Sequence, residues 1–306
     1  VTRAITSDAG GGDGNGDTKS SDLSVTALYT AGAWAWGALP DAELFASADT
    51  ARVFRVVNAA LAVARFLRLD AAPLAPSLLH RHAAIDHLLR ASRSAHVLEL
   101  AAGLSRRGIT FSSDASVTYI EVDRPSVIAK KRALLERSSA GRDALSRANL
   151  RLVSGDVTTL AFDELCPPDG APLFVIAEGL AMYLTRDAQR ALFRAVSTRL
   201  ARGGGGRFVF DLVPPCEQPA PGRVGRALEW LMKKFTGGRS FERDARTRGD
   251  VIADLVACGF GSAFALEPRT VAHAWGLPHP DVVTQQLLFI ADVPAVGDAA
   301  PDPPSS

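Results

Sequence analysis

From residue 96 onward, short apolar runs alternate with segments whose apolar residues recur at helical spacing. The runs at 96–100, 117–122, 150–153, 173–177 and 207–212 have the length and the content of β-branched and aromatic residues expected of strands. Helical spacing fills 126–137 and 187–202, and the glycines of 203–206 end the second of these segments. A further helix at 250–258 leads to two runs, 260–266 and 285–290, that read as a final strand pair. Strands alternating with helices predict an α/β fold: a doubly wound, mainly parallel sheet with helices on both faces.

Upstream, residues 21–92 are Ala-rich and read as several helices, one with an apolar stripe at Val53, Val56, Val57, Ala60 and Leu61 and the last at 75–90. They precede the first strand, so they are expected to form a helical cap over a domain spanning 93–292. The stretch 216–248 interrupts the alternation and is rich in Arg, Gly and Pro; it reads as an inserted helical lid with an apolar patch at Trp230, Leu231 and Met232, joined by Trp275. Residues 1–20 and 293–306 have the composition of loose tails, since they cannot bury enough apolar surface to offset chain entropy.

Composition narrows the function classes. The chain has 306 residues, 47% of them hydrophobic, and a net charge of +1, which gives no global bias toward nucleic acid or an anionic membrane. Its three cysteines are far apart and odd in number, which argues against a disulfide scaffold or a zinc ribbon. No signal-peptide layout stands at the N-terminus, and the apolar stretch 26–39 is shorter than a membrane span. The expectation is a soluble, cytoplasmic protein acting on a small molecule, with no nucleic acid, membrane or metal partner; oligomeric state is not readable.

In a doubly wound sheet, ligands bind at the carboxyl ends of the strands. Four segments place polar residues there. Glu99 to Ser105 follows the first strand, with small residues where backbone can approach a ligand and an acid that suits an ammonium group better than a pyrophosphate. Ala101 and Arg106 break the G-x-G-x-x-G of a dinucleotide fingerprint. Glu121 to Pro125 follows the second strand; Asp123, 20 residues after Gly103, is placed to accept from ribose hydroxyls or to cap the next helix. Asp156 and Val157 can meet an adenine edge, or Asp156 can close an Asx turn. Glu178 ends the most hydrophobic strand, where an acid is costly unless it faces a cleft, and Tyr183 follows one turn later.

These segments, in this order, resemble the leucine carboxyl methyltransferase family, which includes polyketide carboxyl O-methyltransferases. The family's E-x-G-A-G-L-D-T-R, E-V-D-x-P, G-D and E-G-x-x-x-Y-L patterns correspond to 99–107, 121–125, 155–156 and 178–184, and its S-x-T-A and R-T-x-x-I-D segments to 24–27 and 81–86. The resemblance implies a seven-stranded, Rossmann-like class I methyltransferase sheet with an antiparallel last strand, and S-adenosyl-L-methionine as cofactor. It implies that Arg81 grips the methionine carboxylate and Glu178 faces its ammonium. It further implies that Gly103 lines the methionine, Asp123 holds the ribose, and Asp156 with Val157 meets adenine. Glu99, Ala101 and Glu121 complete the expected cofactor site, and Tyr183 and Arg81 are the expected catalytic pair. Ala101 stands where the family has glycine, Ser105 and Arg106 where it has Asp-Thr, and His82 where it has Thr; an early arginine gives way to Trp34-Ala35.

The reaction implied is methyl transfer to a carboxylate of a small molecule or secondary metabolite, which is ionised at neutral pH and needs no base; proximity and alignment can supply about 7–11 kcal/mol. A hydroxyl acceptor would need a base, for which His82, His273 and Tyr183 are candidates. A nicotinamide oxidoreductase or a non-catalytic cofactor-binding protein would share the fold.

Overall fold

The computed structural model describes residues 25–68, 73–159, 162–165, 171–217 and 246–295. Residues 1–20 and 296–306 of the expected tails, and the part of the expected lid from 218 to 245 including Trp230, Leu231 and Met232, lie outside the described residues; Val293, expected in the C-terminal tail, is instead buried and paired with Gly206 at the end of the last strand.

Three helices precede the sheet: α1 (Val25–Trp36), α2 (Ala48–Phe66) and α3 (Leu74–Ser92). Then come β1 (His96–Leu100), α4 (Arg107–Phe111), β2 (Thr118–Asp123), α5 (Pro125–Leu135), α6 (Ser139–Leu145) and β3 (Leu150–Ser154). After α7 (Phe162–Leu165) follow β4 (Leu173–Ala177), α8 (Arg186–Arg202) and β5 (Gly206–Asp211). The chain continues with α9 (Arg248–Ala257), β6 (Ser262–Leu266), α10 (Pro268–Val271) and β7 (Leu288–Val293).

The strands form one sheet in the order β3-β2-β1-β4-β5-β7-β6, parallel except for β7, which runs antiparallel to both β5 and β6. Strand order reverses between β1 and β4, and the C-terminal ends of these strands are where a doubly wound sheet takes its ligand. Side chains alternate across the sheet. Val97, Tyr119, Phe174, Ile176, Val209 and Ile290 enter a core shared with α1, α3, α4 and α5. Leu98, Leu100, Val175, Phe208, Phe210 and Phe289 enter a second core shared with α8 and α9.

The glycine stop after α8 is used as expected: Gly203 caps the helix, and Gly204 and Gly205 take φ of 79° and 86°, which L residues rarely adopt. One expectation for the cap is corrected. Val56 is 63% exposed and Ala60 is also exposed, while Thr50, Leu61 and Ala64 are buried. The inward face of α2 is therefore rotated from the predicted stripe. α2 is apolar on more than one side, so spacing alone did not fix which side faces α1.

Candidate functional site

Period-two alternation puts Glu99, Glu121, Asp123, Glu178 and Asp211 at or near the C-terminal ends of β1, β2, β4 and β5. Five acids on one sheet edge repel one another and lose hydration, so they require cations or backbone donors. Glu99, Glu178 and Asp211 draw their cations from α3 and from the segment after β1, Glu121 draws on Lys131 of α5, and Asp123 on backbone N–H groups.

Arg81, on α3, donates from Nε to Glu178 Oε1 (2.8 Å) and from Nη1 to Asp211 Oδ2 (2.7 Å). Burial opposes its charge, but Asp211 and Glu178 more than offset this and raise its pKa. Arg107 is fully buried and reaches three acids: Asp86 (2.7 Å), Glu99 (2.8 Å) and Glu178 (2.6 Å). Its Nη2 also donates to the His82 carbonyl at 3.0 Å. Arg106 pairs with Asp86 and through Thr110 with Asp41. Burial and the neighbouring Arg107 push the Arg106 pKa down to about 10.

Glu178 is the hub. Burial works against its charge, but Arg107, His82 and Arg81 hold its carboxyl well below the ordinary carboxylate range. His82 Nδ1 lies 2.9 Å from Glu178 Oε2. Burial, and then Arg107, hold His82 well below the ordinary histidine value, so its ring is neutral and Nδ1–H donates to the carboxylate. Among the described residues, His82 Nε2 is then a buried acceptor without a hydrogen-bond partner, and Trp34 Nε1 is a buried donor without one. The two rings sit 4.5 Å apart. Two departures from the family pattern, Trp34 and His82, thus pack on each other.

The backbone around this cluster leaves room. Ala101 and Gly103 adopt φ of 52° and 55°, and Gly179 adopts 68°. A Cβ at Gly103 would meet nothing within 4 Å, and one at Gly179 would meet only Arg81 Nη2 at 3.6 Å. Asp123 accepts from the Gly103 N–H and the Arg124 N–H, both at 2.7 Å, and ties the turn after β1 to the end of β2. Tyr183 stands in a 3₁₀ turn (Ala181–Tyr183), with Thr26 of α1 hydrogen-bonded to its hydroxyl and Arg81 and Asp211 nearby; burial raises its pKa. The cap thus contributes to the cleft through α1 and α3.

Glu121 is placed otherwise than expected. It is fully buried, accepts from the Gly108 N–H at 3.2 Å and pairs with the equally buried Lys131. A Cβ at Gly108 would overlap its carboxylate, so it lies beneath α4 rather than on the cleft. Glu99 is also enclosed, held by Arg107, Ser105 Oγ (3.1 Å) and the Tyr119 hydroxyl (2.7 Å). Asp156 is exposed, and its Oδ1 accepts from the Thr158 N–H and hydroxyl, an Asx turn; Val157 is half-buried beside it. His273 is not in the site: it lies on the surface against Asp281 at 3.1 Å. Trp275 stacks on His87 of α3. Arg106, Arg107, Asp86 and Asp211 were not among the expected site residues. Arg107 lay inside a quoted motif, but its partners are distant in sequence and spacing did not expose them. Among the described residues, no three His, Cys, Asp or Glu side chains could hold a metal.

The sheet order, the antiparallel β7 and the β1/β4 reversal define a class I methyltransferase fold. The sequence model of the leucine carboxyl methyltransferase family matches residues 40–197, just over half of the chain, and the chain belongs to that family. A protein of Mycobacterium marinum is 35% identical over 145 residues, 45% of this chain and 42% of its own length. One of Mycolicibacterium smegmatis is 30% identical over 187 residues, 60% of this chain and 59% of its own length. Both carry the provisional description S-adenosyl-L-methionine-dependent methyltransferase. The match thus spans about half of these relatives. A solved Nostoc punctiforme protein provisionally described as an O-methyltransferase shares the fold, with TM-score 0.50, 16% identity, and coverage of 72% of this chain and 58% of that one.

Proposed function

We propose that the protein is an S-adenosylmethionine-dependent O-methyltransferase whose acceptor is the carboxylate of a small molecule. The observation that carries this reading is the convergence of Gly103, Asp123, Glu178 and Arg81, in the family's order, around the strand ends at the β1/β4 reversal. The cofactor supplies a methyl group made electrophilic by a sulfonium. The residues present suit it. The open faces of Gly103 and Gly179 admit a ligand close to backbone. In this reading Asp123 takes the ribose hydroxyls, Glu178 the ammonium, and Arg81, with Nη2 toward Gly179, the carboxylate. Asp156 and Val157 border the adenine end.

A carboxylate acceptor arrives ionised, so the protein need only align it and exclude water. In this reading Tyr183, with Arg81 beside it, orients the acceptor. A second reading has its own observation: Glu178 orients a neutral His82 whose Nε2 is unpartnered, the arrangement of a base for a hydroxyl acceptor. The depressed His82 pKa makes it a weak base and favours the carboxylate.

S-adenosylhomocysteine should raise the melting temperature and NAD should not. Labelled methyl transfer to a panel of carboxylic acids should give base-labile esters at a rate flat across neutral pH. A base-stable product, with a rate that climbs with pH and collapses in His82→Asn, would replace carboxyl by hydroxyl methylation. A melting shift with NAD alone would end the methyltransferase reading.

A further inference from the structure

We infer that the outer face of α2 is a docking surface for an anionic lipid bilayer. Eight large hydrophobic side chains are exposed among the described residues, and four of them, Val56 (63%), Val63 (58%), Phe66 (85%) and Leu67 (60%), lie on α2 and the residue that caps it. With the exposed Ala59 and Ala60 they repeat at intervals of three, four and seven, so they form one stripe. α2 has already met its packing requirement on the opposite side, where Val53, Phe54 and Val57 join Tyr29, Ala33, Ala75 and Leu78. The stripe is a surplus apolar face, not the edge of the core.

Charge identifies the occupant. Arg52, Arg55, Arg65 and Arg68 are exposed along the same helix and its cap, and none lies within ion-pair distance of an acid among the described residues. Asp49 is the single acid on the helix, so α2 and its cap together carry an excess of three positive charges; at 100° per residue Arg52 falls within the stripe and Arg55 at its edge, while Arg65 falls on the far side, near Tyr29. The chain as a whole carries +1, which hides that concentration. An apolar stripe with Arg52 and Arg55 at its start and Arg68 just past its end is the pattern of a helix that lies in a headgroup layer, with its apolar side chains at the acyl boundary. The stripe ends in Phe66 and Leu67, 85% and 60% exposed, which suits insertion into a fluid surface. No helix among the described residues is long and apolar enough to cross a membrane, so the contact is peripheral. Because α2 packs on α1, which carries Thr26 to Tyr183, docking would hold the cleft close to the bilayer surface.

The test is co-sedimentation of the full chain with vesicles of phosphatidylcholine alone or with about one third phosphatidylglycerol. Partitioning should be at least about tenfold stronger to the anionic vesicles and should weaken as salt rises. Phe66→Ser with Leu67→Ser, and separately Arg52→Gln with Arg55→Gln and Arg68→Gln, should each reduce it about tenfold or more. All these residues are exposed, so melting temperature should be unchanged and report intact folding. Equal partitioning to both vesicles, or partitioning indifferent to both sets of substitutions, overturns the proposal. So does a dimer in sedimentation velocity that Phe66→Ser with Leu67→Ser dissolves, which would assign the stripe to a second copy.

Discussion

Arg107→Met tests whether the buried ion network holds the cap on the sheet. Arg107 is fully buried and joins Asp86 of α3, Glu99 of β1 and Glu178 after β4. Methionine keeps most of the volume, so the change removes charge rather than packing. Asp86 would retain Arg106, and Glu178 would retain Arg81 and His82. Glu99 would keep only its neutral donors, Ser105 and Tyr119, and become a buried anion without a cation among the described residues. Breaking a buried pair from one side costs about 3–5 kcal/mol, a large share of a typical stability of about 5–15 kcal/mol. At roughly 2–4 °C per kcal/mol, the melting temperature should fall by on the order of 10 °C. Glu99→Gln in the same background removes the stranded charge and should recover about 1–2 kcal/mol, a coupling readable in a double-mutant cycle by urea unfolding. A single-mutant cost below about 1 kcal/mol, or a Glu99→Gln that adds its own penalty, would refute the reasoning.

Three further outcomes are expected. Gly103→Ala should cost only the left-handed penalty of about 1–2 kcal/mol in stability, because a Cβ there meets nothing, yet should weaken S-adenosylhomocysteine far more in calorimetry. Ala101→Gly, at φ 52°, should relieve that same penalty, less the glycine entropy cost of about 0.5–1 kcal/mol, for a net gain of up to about 1.5 kcal/mol in urea unfolding. His82 is depressed by burial and Arg107, so below about 6.5 the unfolded chain takes a proton that the folded chain refuses; its contribution is full above that pH and lost as pH falls. His82→Asn should therefore flatten the loss of stability just below pH about 6.5, measured by unfolding across pH.

The strands were legible because their signal is local. A buried parallel strand is a short apolar run, and the predicted bounds of β1 and β4 coincide with those observed. The strand-end acids were legible for the same reason, since an ionisable residue closing such a run stands out. Their partners were not. Arg106 and Arg107 look like the polar start of a helix, and only the fold brings Asp86, 20 residues earlier, against both of them. Glu121 misled because it lies two residues short of Asp123 on the same face. Whether a strand acid meets the cleft or the helix above it depends on where α4 crosses, and the pattern of β2 carries no information on that. The face of α2 was misread because two of its sides are apolar and only one is buried.

The network also has a charge balance that bears on the proposed cofactor. Asp86, Glu99, Asp123, Glu178 and Asp211 carry five formal negative charges; Arg81, Arg90, Arg106 and Arg107 carry four positive ones; His82 is neutral. The difference, four minus five, leaves −1 around the strand ends. S-adenosylmethionine, with an ammonium, a carboxylate and a sulfonium, is a net +1 ligand and complements it. Asp211→Asn brings the balance to zero at a position where the charge is already disfavoured, since burial raises the Asp211 pKa even with Arg81 beside it. The stability cost should therefore be modest, about 1–2 kcal/mol for mispaired donors toward Arg81 and the Gly179 N–H. The binding cost should be larger. At an effective dielectric of about 20, a unit charge lost at about 6–12 Å from a cation forfeits about 1.4–2.8 kcal/mol, or roughly ten- to hundredfold in affinity. Adenosine carries no charge and serves as the control in the same calorimeter. If charge complementarity selects the cofactor, Asp211→Asn weakens S-adenosylmethionine by that factor and leaves adenosine unchanged. Parallel losses for both ligands would mean that Asp211 shapes the loop at Gly179, and that the negative balance does not select the ligand.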